Sequence, residues 1–123
     1  MNGTAADAPL FESRSKRDPG TKMDIVVKEI ERRARASVLE ITIHSVGSSV
    51  GSSFFLLCSI RQLAHLRGGY RHVVKLEERP RRGQMLIGFL RSAGEPPAAA
   101  GAEFAGADRI DLEQFAPICD MMK

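Results

Sequence analysis

The residues best suited to hold a ligand lie in the stretch Ser45-Val46-Gly47-Ser48-Ser49-Val50-Gly51-Ser52-Ser53. Glycine frees backbone N–H groups, serine hydroxyls donate and accept, and a helix start adds the positive end of its dipole. Gly47, Ser48, Ser49, Gly51 and Ser52 therefore form a candidate anion site. The pattern departs from the phosphate loops it invites comparison with. A nucleotide P-loop needs Gly-x-x-x-x-Gly-Lys-Ser/Thr, whereas Gly47 and Gly51 stand one residue too close and Ser52 occupies the lysine's place. The Gly-x-Gly-x-x-Gly spacing of dinucleotide sites is missing as well. A turn with an N-cap serine accounts for the same residues without a ligand.

The second candidate is electrostatic. Arg61, Arg67, Arg71, Lys75, Arg79, Arg81, Arg82 and Arg91 face only Glu77 and Glu78 in the middle of the chain, and Arg79, Arg81 and Arg82 form the densest basic patch. From Ser92 the balance reverses, with Glu95, Glu103, Asp108, Asp111, Glu113 and Asp120 against Arg109 and Lys123. Such a tail is able to lie against the basic middle or to leave both for partners. Arg82 to Phe89 aligns with the RNA-recognition signature, but Gln84 and Leu86 occupy two of its three aromatic positions, and Val38 to His44 offers no aromatic for a base to stack on. What remains is salt-sensitive, nonspecific phosphate attraction, so nucleic acid is not the expected partner. A solvated hairpin tip explains the arginines equally simply.

Catalytic and metal chemistry find less support. His44, His65 and His72 lack the close spacing of a metal site, and neither cysteine is near them in sequence. There is no Gly-x-Ser-x-Gly elbow and no paired-acid motif. No catalytic residue, metal or cofactor is expected. Cys58 and Cys119 are expected as buried thiols in a reducing cytoplasm, with a single bridge as the alternative.

These residues need elements to position them. Thr21 and Asp24 make a capping pair, and Met23, Ile25, Val26, Val27, Ile30 and Ala34 recur at roughly helical spacing, which predicts a helix over 22–36; the β-branched Ile-Val-Val favours a strand from Met23 to Lys28 instead. Leu39, Ile41 and Ile43 alternate with polar neighbours and predict a strand over Val38 to His44. A helix follows from about Ser52 to Arg67, stopped by Gly68-Gly69. Tyr70 to Glu78 and Gln84 to Arg91 alternate again and read as a hairpin around Arg79-Pro80-Arg81-Arg82-Gly83. Because Met85, Ile87 and Phe89 oppose Leu86 and Leu90, both faces of the last strand are apolar, and it is expected between the other two.

The fold class read from this pattern is α+β: a three-stranded sheet of order 1-3-2, a split β-α-β with one crossover helix, plus an additional N-terminal helix. The chain of 123 residues suits one core. Residues 1–20 read as a flexible arm, 21–92 as the domain, 93–107 as an Ala/Gly/Pro-rich linker and 108–123 as a tail. Met1 to Thr21 holds only Leu10 and Phe11 as a large apolar pair, so no secretory signal is read, and a cytoplasmic location is expected. The run Phe54 to Cys58 is too short to span a bilayer.

Phe54-Phe55-Leu56-Leu57-Cys58-Ser59-Ile60-Arg61-Gln62-Leu63-Ala64, followed by Gly69-Tyr70-Arg71-His72-Val73-Val74, resembles a module of small bacterial proteins of unknown function, many of them lipoproteins. In those a strand, a helix and a Gly-Tyr strand follow one another. The resemblance spans residues 38–90 and implies this element order without implying an activity. The functional expectation is a non-enzymatic protein-interaction or assembly module, acting through a protein partner or self-association. An anion or small-molecule binder using 47–53 is the first alternative, and a nonspecific nucleic-acid binder using the basic hairpin is the second.

Overall fold

The computed structural model describes residues 10–15 and 22–121. Six strands are present: β1 (Glu12–Arg14), β2 (Asp24–Arg32), β3 (Ala36–Ser45), β4 (His72–Glu77), β5 (Gln84–Leu90) and β6 (Arg109–Asp111). Two α-helices join them, α1 (Ser49–Gly68) and α2 (Ala116–Met121). The strands form one sheet in the order β1-β2-β3-β5-β4-β6, with every neighbouring pair antiparallel.

The three-stranded sheet expected from the sequence is therefore too small. Its members survive as the neighbours β3-β5-β4, with β5 between the other two and the chain crossing from β3 to β4 through α1. Leu86 and Leu90 are buried on one face of β5 while Ile87 and Phe89 are buried on the other. The helix expected over 22–36 is instead β2, in which Ile25, Val27 and Glu29 point inward at a period of two. Its β-branched residues fit a pleated surface, and a long antiparallel partner in β3 satisfies its backbone. Of the arm expected over 1–20, residues 1–9 and 16–20 lie outside the described residues. The remainder holds strand β1, pinned by the buried Phe11 and by Ser15, whose Oγ accepts the Ile25 N–H at 3.0 Å.

Helix α1 starts where a serine cap predicts. Ser48 Oγ accepts the Gly51 N–H at 2.9 Å, and Gly69, left-handed at φ 78°, closes the other end by donating its N–H to the Ala64 and His65 carbonyls. The helix is covered on two sides. Phe55, Ile60, Leu63 and Ala64 pack with the sheet, while Cys58 is bonded to Cys119 of α2. The two cysteines, expected as thiols, are thus a disulfide with Cα atoms 5.4 Å apart and a sequence separation of 61. No helix among the described residues is long and apolar enough to cross a membrane.

The opposite sheet face carries a second core of Ala36, Val38, Val74, Leu86, Leu90 and Phe104. Its cover is the stretch read as a linker. Two 3-10 turns, Pro97–Ala100 and Ala102–Phe104, lie over β5, and only Phe104 of the two turns is fully buried. Small residues let this segment approach closely. A Cβ at Gly88 would meet Ala100 Cβ at 2.7 Å and the Phe104 ring at 2.9 Å.

Candidate functional site

Strand β3 outruns its neighbour. Its pairing with β5 ends at Glu40 opposite Gln84, and residues 41–45 continue with β2 alone. The chain then reaches Ser48, the cap of α1, within three residues. The β4–β5 hairpin tip lies at this same end, tied to the overhang by the Ile41 N–H donating to the Gly83 carbonyl at 2.9 Å. The two sites predicted from the sequence, the Gly/Ser loop and the basic patch, therefore share one end of the sheet.

In the loop, the polar groups serve the helix. Ser48 holds the Gly51 N–H, Ser52 Oγ donates to the Ser49 carbonyl at 3.1 Å, and the Ser52 N–H reaches the Ser48 carbonyl at 3.1 Å. Gly47 takes a left-handed φ of 74°, and an added Cβ there would sit 3.2 Å from the Met23 nitrogen. A helix cap followed by a tight crossing over Met23 is what this stretch builds. Ser48, Ser49 and Gly47 are exposed, while Gly51 and Ser52 are half-buried.

The tip is different in kind. Arg79, Arg81 and Arg82 are all exposed, and among the described residues no ion pair reaches them. Glu78, the adjacent acid, turns its carboxylate onto the Gly83 N–H at 2.9 Å. Most arginines elsewhere are matched: Arg14 with Asp24, Arg32 and Arg67 with Glu29, Arg33 with Glu31, Arg35 with Glu95, Arg61 with Glu113 and Arg71 with Asp111, whereas Arg109 donates to the Ala93 carbonyl. The acidic tail thus pairs with Arg61 and Arg71, away from the tip. Two parallel hydrogen bonds of 2.9 Å from Arg71 hold the Asp111 carboxyl down at about 2.

Beside the tip, this end of the sheet exposes aliphatic side chains, among them Ile43, which its alternation with Leu39 and Ile41 had placed on a buried strand face. Ile43 is 52% exposed, Val46 40% and Val50 66%. Ile43 lies where β3 has run past β5, Val46 in the loop that follows, and Val50 in the first turn of α1. The histidines do not converge: His44 is exposed on β3, His65 approaches Glu113 at 3.5 Å, and His72 sits on β4 opposite Leu90. Among the described residues no group of three His, Cys, Asp or Glu side chains is placed to hold a metal ion. No protein-family model matches the chain, and neither the curated proteins nor the solved structures give a match to it.

Proposed function

We propose that the protein is a non-enzymatic docking module that grips an acidic, partly apolar protein surface with the end of its sheet. Arg79, Arg81 and Arg82 supply the charge, and Ile43, Val46 and Val50 supply the apolar contact. The observation that supports this reading is the coincidence of uncompensated cations and exposed aliphatic side chains at one end, in a molecule whose other arginines are mostly paired. Arginine beside apolar surface is the composition of a protein interface, and positive charge steers an acidic partner into place. None of residues 41–50 or 78–83 is Phe, Tyr or Trp, so the multi-ring stacking platform of a nucleic-acid binder is lacking.

Compartment enters the same reading. Disulfides persist in oxidising surroundings, so the Cys58–Cys119 bridge moves the proposal from the cytoplasm expected from the sequence to an oxidising compartment.

Fluorescence anisotropy with three labelled probes tests the docking reading: a 16-residue peptide of Glu with interspersed Leu, a poly-Glu peptide of equal length, and a 16-nucleotide single-stranded DNA. The Glu/Leu peptide is expected to bind at least tenfold tighter than the others. Changing Arg79, Arg81 and Arg82 together to Ala, or Ile43 and Val50 together to Ser, should each weaken it about tenfold or more. Equal binding of all three probes, or binding untouched by both variants, defeats the reading.

A further inference from the structure

Helix α2 is six residues long, well below the roughly 12–15 at which an isolated helix holds together in water. Neither apolar cluster includes a residue beyond Leu112. Within α2 only Cys119 is buried, whereas Met121 is 84% exposed. What fastens α2 is therefore the bond to Cys58, assisted by Arg61, which lies 3.9 Å from Asp120. Cys58, Arg61 and His65 follow one another at helical spacing, and all three face the C-terminal segment. Cys58 is itself half-buried, which leaves a thiolate an approach to the bridge.

We propose that Cys58–Cys119 is a redox-operated clasp: oxidised, it holds α2 on α1; reduced, it releases α2 and uncovers its half-buried Ile118, while the sheet stays folded. The proposal is independent of the docking reading. A dithiol reductant drives the opening. Its thiolate attacks one sulfur of the bridge, the S–S bond breaks through a mixed disulfide, and its second thiol displaces the protein cysteine. Two electrons and two protons pass to Cys58 and Cys119, which end as thiols, and the reductant departs as a disulfide.

Hydrogen exchange on the full chain tests this, before and after dithiothreitol, alongside fluorescence of a dye that binds apolar surface. On reduction, residues 116–121 should lose their protection from amide exchange while β3 and β5 remain protected, and dye fluorescence should rise. Reoxidation should reverse both. Cys119→Ser should match the reduced protein and ignore the reductant. Two alkylatable thiols in air-purified protein, unaltered exchange at 116–121 after verified reduction, or loss of protection throughout the sheet would each overturn the clasp.

Discussion

Glu29 faces the core from β2, and its carboxylate is wholly enclosed. It accepts hydrogen bonds from the Phe11 N–H at 3.1 Å, from Ser37 Oγ at 2.6 Å and from Arg32 at 2.7 Å, with Arg67 3.7 Å away. Burial pushes its carboxyl up, but the bonds from Arg32, Ser37 and Phe11 outweigh that and hold it below the ordinary 4.5. The sign follows directly. A carboxyl with a depressed folded value stabilises the protein fully above pH 4.5, and that contribution fades as pH falls through the lower folded value. Asp111 extends the loss further down, toward 2. Urea midpoints measured from pH 7 to pH 2 should thus decline below about 4.5, and Glu29→Gln should flatten the first part of that decline. At pH 7 the same variant should cost about 3–5 kcal/mol, since it removes the buried counter-charge of the largely enclosed Arg67. Nothing in the sequence marks Glu29 as interior, because an acid between two lysine- and arginine-bearing stretches reads as solvated.

That one inward acid also explains the misreading of an element. With Glu29 in a core position and Ile30 41% exposed at a break in the β2–β3 register, the alternation of Ile25, Val27 and Glu29 does not look apolar, and a helical period fits the residues as well. Strands β3, β4 and β5 were legible because their alternation is undisturbed. The segment over Gly88 was not, since alanine and glycine carry no period. Its two signals were the glycine in the middle of an otherwise bulky β5 and the single Phe104 in a small-residue stretch. Gly88→Ala should accordingly overpack the second core and cost about 1–3 kcal/mol by urea unfolding, because Ala100 and the Phe104 ring both stand in the way of the new methyl group. Gly94→Ala, with open space around it, serves as the control and should leave the midpoint nearly unchanged.

For the molecule as a whole, the division of charge into a basic middle and acidic tail was readable, whereas the pairing that draws the tail to Arg61 and Arg71 and away from the hairpin tip required their positions in the fold. The bridge was equally hidden, as two cysteines so far apart in sequence become neighbours only once α1 and α2 pack. Closing a loop of 61 residues restricts the unfolded chain by up to about 4 kcal/mol. Calorimetry should find the reduced protein melting up to about 15 °C lower, still in one cooperative transition. The bridge also makes residues 58–119 a closed covalent ring that includes the exposed Arg81 and Arg82. A single tryptic nick there leaves the polypeptide in two pieces that cannot part: one band of full mass on a gel run without reductant, and two bands once thiol is added.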